Sequence, residues 1–283
     1  MASATEFTFH DPERTAAAEG IRRDLVAQLR ARWSWEEVVC VVCAHATPTE
    51  PVSAKDGIEV VRCCACGHVF VSPRLPEEAV SELYGSTYWD LYQPAVGSPA
   101  LAERVLFDYQ NGFGKLERDV LPYRRPGRLL DVGASNGGMV RAARERGFDA
   151  HGIEPSAEVC DLARQLQGVE LYCGDIRDNH FAAGSFDVVT MHDVLEHVFA
   201  PLEILRACRR VLAPGGLLVV ETPTTDALGY LRDGDAWQNM SPLEHVHLFS
   251  EANLALVATR CGFRVVDLYC PHEDNVILIG EAA

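Results

Sequence analysis

Positive charge is scarce in this chain, and long apolar runs are missing. Lysine and arginine number 25 against 41 acidic residues, a net charge of −16. That balance argues against a non-specific grip on a nucleic-acid backbone, and most of it is read as solubility. No apolar run approaches the roughly 18 residues of a membrane span. The first residues, Met1 to Glu6, show no basic stretch followed by an apolar one, so no secretory leader is expected. These absences predict a cytoplasmic protein with neither nucleic acid nor membrane as a partner. Cysteine, by contrast, is plentiful at 10 residues. In a reducing compartment that favours metal or free thiols over disulfides. Apolar residues make up 48% of 283, enough for one large domain with a small module beside it.

The stretch Leu129-Leu130-Asp131-Val132-Gly133-Ala134-Ser135-Asn136-Gly137-Gly138-Met139-Val140 reads as a buried strand, a tight glycine turn and a helix start. Such a turn brings backbone N–H groups and a helix N-terminus against a ligand. Asp131 closes the strand. Glu154 ends the next apolar run, where an acid can accept from both hydroxyls of a ribose. From residue 128 onward strands and helices alternate, which calls for a doubly wound sheet. Arg128–Val132, Phe148–Ile153, Val169–Tyr172, Ser185–Met191 and the run after the Pro214-Gly215-Gly216 turn are the first five strands. Phe263–Tyr269 and Asn275–Gly280 lie too close in sequence for a parallel crossover, so they form a hairpin.

Two C-x-x-C pairs stand upstream, Cys40 with Cys43 and Cys63 with Cys66. Paired knuckles of this spacing place four thiolates around one structural zinc, and a closed four-sulfur site leaves no position for catalysis. A redox dithiol is the alternative. Cys64 is expected to be a bystander; His45 and His68 could each replace a cysteine ligand, but the reading preferred for both is a solvent-facing ribbon residue. Before the knuckles, Pro12 opens a helix with Ala16, Ile21, Leu25, Val26 and Leu29 on one face. It is a packing helix, or else a lid or the arm of a homodimer. After them, Tyr84, Tyr88, Trp89 and Tyr92 either pack the module or cover a ligand, and a helix runs from about 100 to 121. The chain thus divides into a helical segment 1–35, a zinc-ribbon-like module 36–75, a helical connector or lid 76–127 and an α/β domain 128–283.

The ordered series of Asp131 with its glycine turn, Glu154, Asp175, the strand to Met191 and the Pro-Gly-Gly turn resembles the class I S-adenosylmethionine-dependent methyltransferases. The branch is the one with a cysteine-rich segment ahead of the catalytic domain, and the resemblance covers roughly residues 36–280. It implies a Rossmann-like seven-stranded sheet of order 3-2-1-4-5-7-6, with the last pair antiparallel. It implies S-adenosylmethionine as cofactor, held by Asp131, Gly133, Gly137, Glu154, Asp175, Ile176, His192 and an aromatic such as Tyr88. Ser135 stands where the family often has a third glycine. Ribbon-bearing relatives point to a small-molecule acceptor, a sugar or natural-product intermediate.

Methyl transfer needs an aimed nucleophile and, for some acceptors, a base. His192, Glu196, His197, His245 and His247 all follow strands four and five, on the ligand-binding edge of such sheets. His245 and His192 are the preferred bases. Two other readings stand beside this one. A nicotinamide dehydrogenase shares the glycine turn, though Gly133-x-Ser135-x-x-Gly138 is a defective fingerprint. A non-catalytic module would use the ribbon to recruit a partner on a retained scaffold.

Overall fold

Strand β4 (Arg128–Val132) lies in the interior of a seven-stranded sheet. The computed structural model describes residues 12–44, 47–79, 101–178 and 180–283. Both neighbours of β4 run parallel to it: β5 (Asp149–Glu154) on one side and β7 (Phe186–His192) on the other. Leu129, Leu130 and Val132 are buried between helical layers, as the near-continuous apolar run requires. Asp131 is the exception, and it lies directly across from Thr190.

The sheet continues through β6 (Tyr172–Cys173) at one edge. At the other come β8 (Leu212–Pro223), β11 (Asn275–Ala282) and β10 (Phe263–Tyr269). Numbered along the chain, this is the order 3-2-1-4-5-7-6 that the sequence predicts, with β11 antiparallel to both neighbours. The third strand is shorter than expected and starts later, because Gly168 ends the preceding helix in a left-handed conformation and Val169 turns into the core. The Pro-Gly-Gly turn is absorbed into β8 as a bulge: Phe186 pairs with Leu212, then Val188 with Leu217.

Helices cover both faces. Helix α2 (Leu101–Lys115) runs on through a wider turn to Val120, and α3 (Gly138–Glu145) follows the glycine turn. Helix α4 (Ala157–Leu162) is capped by Ser156, whose hydroxyl accepts from Val159 N. Helix α5 (Pro201–Val211) opens on proline and buries Ile204, Leu205, Cys208 and Val211. Helix α7 (Glu251–Arg260) is capped by Ser250, with the short α6 (Leu228–Asp233) before it.

A second sheet is antiparallel, in the order β1 (Thr49–Ser53), β2 (Val60–Cys63), β3 (Val69–Val71), β9 (His247–Leu248). Its last strand comes from the far end of the chain: Val69 pairs with Leu248 and Phe70 with His247. One apolar cluster accordingly runs without a break from Cys40, Val42 and Phe70 to Leu130, Met191 and Phe249. Asn253 on α7 donates to Cys66 O at 2.9 Å, and Arg260 donates to Val42 O. Helix α1 (Pro12–Arg32) packs Leu25 and Val26 against Ile58, Val60 and Trp237, with Arg22 on Asp56 at 2.7 Å.

Tyr84, Tyr88, Trp89, Tyr92 and His45 lie outside the described residues. Among the described residues no helix is long and apolar enough to cross a membrane.

Phe249 is fully buried where the two sheets meet and stacks on His68 at 5.1 Å. Phe249→Ala is expected to lower stability by about 3–5 kcal/mol in urea unfolding. A loss under 1 kcal/mol would show that the junction is not part of the common core.

Candidate functional site

The glycine turn is held from two sides. The N–H groups of Gly133 and Ala134 both donate to Ile153 O, at 2.9 and 3.0 Å. Asn136 accepts from Gly138 N at 3.2 Å through Oδ1 and donates from Nδ2 to Asp108 on α2 at 2.6 Å. Gly133 has φ 73°, and a Cβ there would lie 2.4 Å from the Val194 methyl. Ser135 is also left-handed, at φ 48°. Its N–H donates to Glu154 Oε2 at 3.1 Å, and Ser156 N donates to Oε1 at 3.1 Å. Hydrogen bonds to a buried carboxylate offset the strain of a side chain where glycine would be relaxed.

Above the turn opens a cavity of about 820 Å³, within the range of small-molecule and cofactor sites. Asp131, Gly133, Glu154, Asp175 and His192 all line it. Gly137 shapes the turn from below, at φ 78°, and Ile176 is buried in the core. Tyr88 lies outside the described residues. Asp175 is clamped by Arg177, which donates from N and Nε to Oδ1 at 2.7 and 3.0 Å and from Nη2 to Oδ2 at 2.8 Å. A ligand amine would share the carboxylate with that guanidinium.

Asp131 accepts from Thr190 Oγ1 at 2.7 Å, and burial pushes its carboxyl up to about 7. His192 closes β7 with Nδ1 4.0 Å from Asp131 Oδ1. Burial, with the charge of Lys115 beside it, drives the imidazole down to about 3, so it is neutral. Its Nε2 is buried without a hydrogen-bond partner. Lys115 is the cation of this wall: its Nζ lies 2.9 Å from Glu221 Oε2 and 3.5 Å from Asp193 Oδ2. Burial opposes the lysine charge, but Asp193, Glu221 and Asp131 outweigh it. Burial likewise opposes the Glu221 charge, and Lys115, with Arg118 beyond it, overcomes it, holding that carboxyl down at about 2. Arg118 pairs with Asp119 at 2.6 Å, and Tyr269 donates to Asp119 at 2.6 Å.

This ionic group was not picked out from the sequence. Glu221 carries the signal that could have found it, a charge directly after the run Leu217-Leu218-Val219-Val220. Lys115 and Arg118 sit one turn apart on a helix and look there like ordinary surface cations.

The other histidines part company. His197 lines the cavity. His245 does not; it stands edge-on to His197 at 4.8 Å between ring centres. His247 is in β9, buried against His68 at 5.2 Å in the second sheet and removed from the cavity. His68 is not solvent-facing, as expected, but fully buried, because β9 and Phe249 close over it. Its Nδ1 is 3.5 Å from Cys40 Sγ. Glu196 is buried, accepts from Thr222 Oγ1 at 2.8 Å and is pushed up to about 7 by burial.

The sulfurs of Cys40, Cys43, Cys63 and Cys66 all lie within 4.8 Å of one another, and none is in a disulfide. Cys40–Cys66 is 3.6 Å and Cys43–Cys63 is 3.8 Å. Four sulfurs about 2.3 Å from one zinc form a tetrahedron with edges of about 3.8 Å, so the donor set fits the ion. Cys64 is exposed and outside the cluster.

Carboxylates dominate the cavity near the turn: Asp108, Asp131, Glu154 and Asp175. That set suits a ligand carrying an ammonium and ribose hydroxyls, and it would repel the pyrophosphate of a dinucleotide. Gly133→Ala is expected to destabilise the fold by at least 1–3 kcal/mol from backbone strain alone, while Ser135→Gly stays within about 1 kcal/mol of the parent. Urea unfolding of both variants checks this. Equal losses for the two would mean that the turn is not the strained element.

Residues 111–268 match the family model described as a methyltransferase domain. The chain is 30% identical over 158 residues to a malonyl-[acyl-carrier protein] O-methyltransferase of Enterobacter lignolyticus, covering 54% of this chain and 62% of that protein. It is 32% identical over 114 residues to a ubiquinone biosynthesis O-methyltransferase of Haemophilus ducreyi, covering 37% and 48%. The chain thus spans about half to three-fifths of the length of these curated relatives. A SAM-dependent methyltransferase of Aquifex aeolicus has the same fold, with TM-score 0.51 at 17% identity over 64% of this chain and 98% of that one. The family match decides between the cofactors that a glycine turn can serve, and with it the chain belongs to the class I S-adenosylmethionine-dependent methyltransferases.

Proposed function

We propose that this protein methylates an oxygen of a small-molecule acceptor. The observation that carries the reading is one cavity with Asp131, Glu154 and Asp175 along the glycine turn and the neutral His192 facing the same space. Asp131 would hold the ammonium of the cofactor's methionine part, Glu154 the ribose hydroxyls and Asp175 the adenine amine. The sulfonium methyl is the chemistry that S-adenosylmethionine supplies when bound. The chain's task is to hold the acceptor oxygen in line with it, to exclude water and to provide for the acceptor's proton. His192 is the base of this proposal, since it lines the cavity with a buried, unpartnered Nε2. His245 stands behind the wall and serves the site indirectly. Oxygen is favoured over nitrogen or carbon because the curated relatives are named as O-methyltransferases. A sugar or natural-product intermediate as acceptor, the four-cysteine cluster as a structural zinc site and a cytoplasmic location complete the reading.

The test is calorimetric titration with S-adenosylhomocysteine across the pH range, with NAD as control. Asp131 must be ionised to meet an ammonium. Burial holds its proton on until about pH 7, so affinity rises with pH through that value and levels off above it. Binding should be about tenfold tighter at pH 8 than at pH 6. Asp131→Asn should bind weakly, with a flat profile. A wild-type affinity that ignores pH would remove Asp131 from the role. Binding of S-adenosylhomocysteine without turnover on any acceptor panel would favour the non-catalytic module.

Metal analysis of the purified protein should find one zinc per chain. Cys43→Ser should abolish it, and chelation should lower the melting temperature. No zinc, with no response to chelator, would sink the structural site.

A further inference from the structure

We propose that His68 is a positioning residue of the four-cysteine centre: its ring donates from Nδ1 to the Cys40 thiolate and ties that sulfur to the packing around β9. This role rests on the structural-zinc reading, and it names a side chain that steadies the charge such a centre carries.

Four thiolates around one Zn²⁺ leave two negative charges in excess. Buried charge of that kind needs hydrogen-bond donors. Cys40 and Cys63 are both buried. At Cys63, Thr47 Oγ1 lies 3.0 Å from Sγ and supplies a donor. At Cys40, Cys43 N donates to Sγ at 3.5 Å. His68 Nδ1 is a second polar group there, also 3.5 Å from Sγ. Sulfur is large, so both separations are hydrogen-bond distances.

The direction of the ring's bond follows from its other nitrogen. His68 is fully buried, and its Nε2 has no hydrogen-bond partner. A neutral imidazole carries one hydrogen, on Nδ1 or on Nε2. On Nε2 that hydrogen would find no acceptor, and the Nδ1 lone pair would face an anionic sulfur. On Nδ1 it points at the sulfur, which removes both costs at once.

Packing holds the ring in this pose. Phe70 stacks on it at 5.2 Å between ring centres, with the planes 13° apart. Phe249 and His247 stand against it at 5.1 and 5.2 Å. Phe70 and His247 are the cross-strand partners that join β3 to β9. The backbone is fixed by the knuckle itself, since Cys63 N donates to His68 O at 2.9 Å. The ring therefore lies between a sulfur of the first knuckle and the strand that comes from the far end of the chain. That strand reaches the cavity wall directly: His247 N donates to Glu196 O at 3.1 Å. An apolar residue at position 68 would fill the same space and leave Cys40 with one donor fewer.

The test uses full-length protein loaded with one equivalent of isotopically enriched Cd²⁺, a zinc substitute whose nucleus carries a spin. Proton–cadmium correlation should show the His68 Nδ1 hydrogen coupled to the metal through the Cys40 sulfur. Ring nitrogen shifts should report the same tautomer. Both are read on the wild-type protein and decide the matter even if a variant fails to fold. Zinc affinity is then measured by competition with a chelator. His68→Phe keeps a ring for the stack and removes the donor, and it should bind zinc about tenfold more weakly. His68→Asn, whose amide nitrogen takes the place of Nδ1, should recover most of that loss. A role in packing alone gives the opposite order, with Phe tolerated and Asn not. That order, an Nε2 hydrogen, or absence of the coupling overturns the role of His68 and leaves the metal site standing. A chain that binds neither cadmium nor zinc removes the zinc reading, and the role of His68 with it.

Discussion

The ammonium of Lys115 is buried among carboxylates, and the carboxyl edge of the sheet depends on it. Glu221, Asp193 and Asp131 all act on it. Without that charge, Glu221 on β8 would be a buried anion with only Arg118 near it, a costly state in a low-dielectric wall. Burial keeps His192 neutral, and the same charge adds to it. One cation delivered by a helix end thus acts on the protonation of groups on two strands. Helix α2 can place it there because it crosses closely over α3: a Cβ on Gly138 would lie 2.7 Å from the Asp108 backbone.

Much of this was legible in the sequence, for a physical reason. A parallel sheet buries its strands on both faces, so each strand announces itself as an apolar run, and the order of runs and turns constrains topology. The glycine turn, Glu154 and the knuckle cysteines were legible because backbone conformation and ligand spacing act over a few residues. Contacts made across the chain were not. That His247 would pair with Phe70, and so leave the cavity while His245 stays beside it, depends on a two-residue strand too short to show a period. The burial of His68 follows from the same pairing and was equally invisible. Ser135 shows the opposite case: the sequence marked it as unusual, and only the structure shows the Glu154 carboxylate that accepts its N–H.

The four-cysteine cluster and the cavity are joined by that strand. The cluster organises β2 and β3, β3 holds β9, and β9 carries Glu196 and His245 with it through a backbone hydrogen bond and two residues of chain. A cysteine cluster remote from the cavity in sequence can thereby control the shape of the cavity wall.

The pairing of β3 with β9 also has a consequence for biosynthesis. The cysteine-rich sheet is made among the first eighty residues, yet its closing strand leaves the ribosome only after Leu248 has been added. Until then β3 presents an open edge to the surrounding medium. The early module must wait, partly finished, while the whole central sheet up to β8 is synthesised, and both sheets are completed almost together by the last quarter of the chain.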